Sequence, residues 1–174
     1  KAEHEYLFNL AGLGDPQFAP DVATPAPEQL QQVVQRIDVP AYVLNKFWDV
    51  VAWNAAAERL FDVWLKNNTP SRNLLDFMFT HPAARQLIVN WEERARRVVA
   101  EFRADCGWRI EQPELVDFVG AMQAACSEFR LLWETQDVME REGGERAFHH
   151  HQLGNCVFNQ VTLRFASDMD YKLV

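Results

Sequence analysis

The chain has 174 residues, with 17 Lys and Arg against 25 Asp and Glu, a formal net charge of −8. Hydrophobic residues make up 48% and charged residues 24%, which excludes disorder throughout. The acidic balance argues against sequence-independent binding to phosphate backbones, and three scattered cysteines argue against a disulfide framework or a Cys-rich zinc site.

No apolar run approaches the ~18 residues of a membrane span, and no signal-peptide pattern is present, so a cytoplasmic protein with no membrane partner is expected. With 12 Phe and 6 Trp, the chain carries a large aromatic load, one use of which is a roomy apolar interior. It begins at Lys1 with no Met and reads as a piece of something longer, or as a trimmed chain.

Residues 3–13 read as a short helix with Tyr6, Leu7 and Leu10 on one face. Four prolines between 14 and 27 block helix and ladder bonding, so this stretch reads as a linker. From residue 28 onward the chain reads as one domain. Leu30, Val33, Val34 and Ile37 have helical spacing, and Pro40 stops that helix. Ala41–Leu44 and Asp49–Trp53 read as paired strands joined at Asn45-Lys46-Phe47.

Asn54 is placed to cap a helix carrying Ala57, Leu60, Phe61 and Trp64, and Asn73 opens a short helix to Thr80. Pro82 opens one long helix with Leu87, Trp91, Ala95, Val98 and Phe102 inward. Its other face carries Arg94, Arg96, Arg97 and Arg103 among Glu92, Glu93 and Glu101. A second helix carries Leu115, Phe118, Val119, Met122 and Cys126, and Ser127 caps a third with Phe129, Leu132 and Trp133. After Gly143-Gly144 the period changes to two. Arg146–His151 reads as a strand turning at Gly154-Asn155. A second strand alternates Val157, Asn159, Val161, Leu163 and Phe165 against Phe158, Gln160, Thr162 and Arg164. Tyr171–Val174 opens a third. Two strands, a helical block and three strands predict an α+β fold, a five-stranded antiparallel sheet with helices packed on one face. A PAS-type sensor domain has this order.

The segment from Pro40 to Phe61, PAYVLNKFWDVVAWNAAAERLF, resembles the opening of the ligand-binding domain of MmyB-like transcription regulators. Further matches follow in order: Arg72-Asn73-Leu74-Leu75 leading to Phe79, Pro82-Ala83-Ala84-Arg85 leading to Trp91-Glu92, and Ser127–Trp133 followed by Asp137-Val138. The resemblance spans about residues 37–174. Residues 3–13 resemble the last helix of the helix-turn-helix domain that precedes this module in the family. One departure is His150-His151, where the family commonly has His-Pro before the glycine.

The resemblance implies a PAS-like effector-sensing domain of a bacterial transcription regulator. It also implies a ligand of fatty-acid type and DNA binding through the N-terminal helix-turn-helix domain; a homodimer is expected. The alternative is a ligand-free dimerisation or interaction module.

An acyl chain needs a concave apolar lining, for which Trp91, Phe118, Met122, Phe129 and Trp133 on three helices are the candidates, with Trp53 and Phe158 opposite or at the rim. The alternative for these stripes is a filled core. A carboxylate anchor is best supplied by arginine, whose planar fork binds bidentately. Arg72, Arg94 and Arg130 each lie beside an aromatic or apolar stripe, against the alternative of surface pairing with glutamate.

Asn73 has both a capping and a ligand reading, and His150 falls in the matching loop. His149 and His151 share a strand face, but no third metal ligand has convincing spacing, so no metal and no cofactor is expected beyond a bound fatty acid. The phosphate-cradling glycine loop, G-x-S-x-G and H-E-x-x-H are all missing from the sequence, and no catalytic activity is expected.

Overall fold

The computed structural model describes residues 24–66, 71–135, 144–166 and 168–174. The helix expected at 3–13 and nearly all of the 14–27 linker lie outside the described residues. Helix α1 (Pro27–Val34) starts on proline at its first position, where the missing N–H costs nothing. The Gln29 side chain accepts the Ala26 N–H at 3.0 Å. Strands β1 (Tyr42–Leu44) and β2 (Val50–Trp53) form the expected hairpin. Asn45 Oδ1 organises its turn by accepting the N–H groups of Phe47 and Asp49 at 2.9 Å. The turn leaves Trp48 at φ 66°, a region that a bulky residue occupies only where its surroundings hold it.

Asn54 caps α2 (Ala55–Leu60), which breaks at Phe61 before α3 (Asp62–Leu65). Ala57, Leu60, Phe61 and Trp64 are nonetheless all buried. Asn73 caps α4 (Leu74–Thr80). The long helix expected from Pro82 is two: α5 (Pro82–Leu87) and α6 (Trp91–Cys106). Between them Val89 donates to Ala147 O at 3.2 Å, Ile88 bridges to Phe148, and Asn90 sits at φ 53°. A strand edge thus claims two residues that periodicity assigned to a helix. After a short 3-10 turn (Gly107–Glu111) come α7 (Pro113–Ala125) and α8 (Ser127–Glu134). Ser127 is the first helical residue of α8 and Cys126 the cap position, without a side-chain capping bond.

Strands β3 (Gly144–His150) and β4 (Gly154–Gln160) form a two-stranded sheet, so Gly154-Asn155 begins β4 and the turn is 151–153. β5 (Leu163–Arg164) and β6 (Lys172–Leu173) join β1 and β2 in a four-stranded antiparallel sheet of order β2-β1-β6-β5. The α+β class therefore holds, but the sheet is not five-stranded. The single strand expected over 157–165 bends at Val161-Thr162. Below the bend β4 follows β3, whose other edge is pinned at Ile88-Val89; above it β5 follows β6.

The helices do not all lie on one face. Val43 and Ala52, opposite each other in register, pack with Leu30 and Val34 of α1 on one side. Leu44 and Val50 face α2 to α8 on the other. Both faces of β1 and β2 are apolar, so both need cover.

Candidate ligand-binding site

The expected apolar lining is brought together as packed core. Trp91, Met122 and Phe129 are buried, with Phe118 and Trp133 half-buried against them. Phe79 stands between Trp91 and Phe129, at ring distances of 5.8 and 5.2 Å. Phe102 stands between Phe118 and Trp133, at 5.8 and 6.1 Å. The Trp91 indole N–H is satisfied by Met78 O at 3.1 Å.

Arg72 lies over the Trp53 ring at 5.0 Å; Trp53 is half-buried at the edge of the same core, with its indole donating to Glu58 at 3.2 Å. Arg130 is exposed on α8. Asn73 is saturated locally. Its Oδ1 accepts from Leu75 and Asp76, and its Nδ2 donates to Phe47 O at 2.7 Å and Asp49 Oδ1 at 2.9 Å. Phe158 packs against the core from β4.

His150 is buried under the β3–β4 turn, where its Nδ1 accepts the N–H groups of Gln152 and Leu153 at 3.1 Å. Asp62, His150 and His151 bring three potential ligand atoms within 4.8 Å of one another. The carboxylate is the partner that sequence spacing could not supply. Yet the two backbone bonds to Nδ1 place the proton of neutral His150 on Nε2, so no lone pair there faces the cluster. His149 is engaged with Asn155 at 2.5 Å.

A cleft of about 400 Å³ opens between the inner face of the four-stranded sheet and α6. Strand alternation brings Tyr42 and Leu44 of β1, Arg164 of β5 and Lys172 of β6 to it; Trp48 and Leu74 form its apolar floor. From α6 come Arg94 and Glu101, two turns apart on one stripe, with Asp105 one turn further. Arg94 and Glu101 thus belong to the face that looks inward, each side chain only 16% exposed, and not to the solvated face expected for them.

Arg164 and Lys172 stand directly opposite in the β5–β6 ladder, a like-charge pairing that would repel alone. The buried Asp105 carboxylate resolves it, taking Arg164 at 2.7 Å, Lys172 at 2.5 Å and the Trp48 indole N–H at 3.1 Å. Glu101 sits 3.3 Å from Arg94 and 4.0 Å from Arg146 of β3. Among the described residues, Arg94 and Arg146 thus gather at Glu101, and Arg164 and Lys172 at Asp105, a cluster of cations in a chain whose net charge is −8.

Burial holds Arg146 and Arg164 below the usual guanidinium value, and each also feels a neighbouring cation, Arg94 and Arg109 respectively. An arriving anion would act against both by favouring the charged guanidinium. Burial pushes the Tyr42 hydroxyl up to about 12, so it stays neutral beside these charges. Burial likewise raises the Cys106 thiol to about 11, which makes it inert.

Of the sequence-predicted anchors, only Arg94 reaches this cleft. Tyr42, Glu101, Asp105, Arg146, Arg164 and Lys172 were not foreseen. The spacing of Arg94, Val98, Glu101 and Asp105, at i, i+4, i+7 and i+11, was the available signal for a stripe shared by charge and core.

The fold is thus an antiparallel sheet with helices on both faces and a cation-lined cleft under the sheet, the arrangement of a small-molecule-binding domain. The chain belongs to the MmyB-like transcription regulator ligand binding domain family, whose profile it matches over residues 26–174. It is thereby an effector-sensing domain of the transcription-regulator type. No curated protein matches it in sequence. Among the described residues, no helix is long and apolar enough to cross a membrane.

Proposed function

We propose that this domain senses an anionic amphiphile of fatty-acid type, held in the cleft between the sheet and α6. The carrying observation is the gathering of Arg94, Arg164 and Lys172 around a cleft with an apolar floor, in an otherwise acidic chain. The carboxylate lies toward Arg94 and Arg146, with Arg164 and Lys172 on its other side. The acyl chain lies against Tyr42, Leu44, Trp48 and Leu74. A cleft of about 400 Å³ is of the size that small ligands occupy. Each buried methylene adds about 0.8 kcal/mol, offset by the cost of immobilising the chain.

In this reading the domain acts by binding alone, with no catalytic step and no cofactor. Occupancy shifts the balance between two arrangements of the regulator, only as far as the ligand binds them differently. The output is DNA binding by an N-terminal helix-turn-helix domain, within a cytoplasmic homodimer.

Titration of dodecanoate and tetradecanoate, followed by calorimetry and by the fluorescence of Trp48 in the cleft, tests this. Dodecanol serves as the uncharged control. Saturable binding of the acids is expected, weakened for the alcohol and weakened about 10- to 100-fold by Arg94→Ala, the loss of one charge-assisted hydrogen-bond pair. Equal binding of acid and alcohol would remove the head-group assignment. No binding of either would favour the ligand-free interaction module.

A further inference from the structure

Helix α6 carries two carboxylates one turn apart beside the cleft, and they are held differently. Asp105 is fixed by Arg164 at 2.7 Å, Lys172 at 2.5 Å and the Trp48 indole at 3.1 Å. Glu101 meets Arg94 fork to fork. Arg94 Nη1 donates to its Oε1 at 3.3 Å and Nη2 to its Oε2 at 3.5 Å, with Arg146 of β3 at 4.0 Å. Bonds of this charge-assisted kind close to about 2.7–2.9 Å when fully made. The Glu101 pairing therefore has the two-pronged shape of a carboxylate clamp without its tightness.

The group that Glu101 presents to Arg94 is the group that ends a fatty acid. Its surroundings also suit an incoming head group. Tyr42 stands within the field of Arg94, Glu101 and Arg146, and among the described residues its hydroxyl makes no hydrogen bond. It is a neutral donor beside the fork. Two carboxylates cannot both stay charged on one fork, because like charges a few ångströms apart repel strongly. An anion that takes the Arg94 fork must therefore move Glu101 off it.

We propose that Glu101 is an internal stand-in for the ligand's carboxylate: it occupies the Arg94 fork until the ligand displaces it, and so sets the concentration at which the sensor responds. This rests on the anionic ligand proposed above and names the residue that tunes its affinity. Tethered on the same helix, Glu101 competes at an effective concentration on the order of millimolar. Only an acid whose apolar chain adds enough binding in the cleft displaces it. The displacement is also a differential contact on α6, of the kind that lets occupancy bias two arrangements.

Dodecanoate and dodecanol are titrated by calorimetry into the wild-type chain, Glu101→Gln, and Glu101→Gln combined with Arg94→Ala, with melting read alongside. A fork free about one-tenth of the time weakens apparent affinity about tenfold, so Glu101→Gln is expected to bind dodecanoate about tenfold tighter. Dodecanol binding should not change, and adding Arg94→Ala should cancel the gain. Without ligand, Glu101→Gln should melt a few degrees lower, because Arg94 loses its partner. Dodecanoate, and not dodecanol, should restore that loss, a readout that survives if the variant is too unstable for calorimetry. Binding of dodecanoate to Glu101→Gln but not to the wild-type chain would also support the stand-in role. Unchanged or weaker dodecanoate binding in Glu101→Gln, with the wild-type chain binding, would overturn it and leave the proposed function standing. An equal gain for dodecanol would overturn it too, as a loosened cleft and not a freed charge. No dodecanoate binding to any of the three would overturn both readings.

Discussion

Single polar side chains decide much of this fold by being used twice. Asn73 both caps α4 and closes on the β1–β2 turn through Phe47 O. Asn73→Ala is expected to lose about 1 kcal/mol of cap and about 1–3 kcal/mol for stranding buried partners, measured as a shift in urea midpoint. Asp105 takes Arg164, Lys172 and the Trp48 indole, and Asp105→Asn leaves Arg164 and Lys172 facing each other without its charge. A loss of about 3–5 kcal/mol is expected, the range for breaking a buried ion pair on one side. Tyr42 carries a pH signature. Its folded value of about 12 lies above its ordinary 10, so the fold favours the neutral hydroxyl. That contribution is complete below pH 10 and lost as pH rises through 12. Tyr42→Phe should flatten the stability decline between pH 10 and 12, by at most about 1.4 kcal/mol per pH unit.

At the level of elements, helix stripes and strand alternation were legible because burial enforces their periods. Leu87, Trp91, Ala95, Val98 and Phe102 are all buried, as their spacing requires. What periodicity could not show was that the helix carrying them breaks between α5 and α6. The cause is β3, far away in sequence, taking up the backbone at Ile88-Val89. Likewise the alternation over 157–165 reads as one strand, while its two halves answer to different partners. Helix α1 shows the same limit: its apolar stripe was plain, but not the sheet face it covers. Leu30→Ala is expected to cost about 2–5 kcal/mol, since Leu30 is only 1% exposed against Val43 and Ala52. Thermal melting with near-ultraviolet circular dichroism would check it, and a change below 1 kcal/mol would mean that α1 adds little to the described fold.

For the whole molecule, a ligand that binds the folded state must also stabilise it. If dodecanoate occupies the cleft, a concentration of 100 times its dissociation constant should add about 2.7 kcal/mol. For a chain of this size that is a rise of about 5–10 °C in melting temperature. Dodecanol should give less, and Arg94→Ala should move the dodecanoate response to higher concentration without changing the unliganded melting point by more than a degree or two. A dodecanoate response identical in the wild-type chain and Arg94→Ala would place the anion elsewhere.

By itself the sequence determined the α+β class, the hairpin, most helix positions, both asparagine caps and the family, because these rest on local chemistry: propensity, period, capping geometry and ordered short motifs. The tertiary structure alone decided which aromatic rings fill the core, that helices cover both sheet faces, and that Arg94 lines the cleft while Arg72 and Arg130 do not. It also decided that Asp105, Arg164 and Lys172, up to 67 residues apart in the chain, meet under one sheet. A charged side chain reads the same in sequence on either face of a helix. Its role is set by what faces it across space, and that choice belongs to packing.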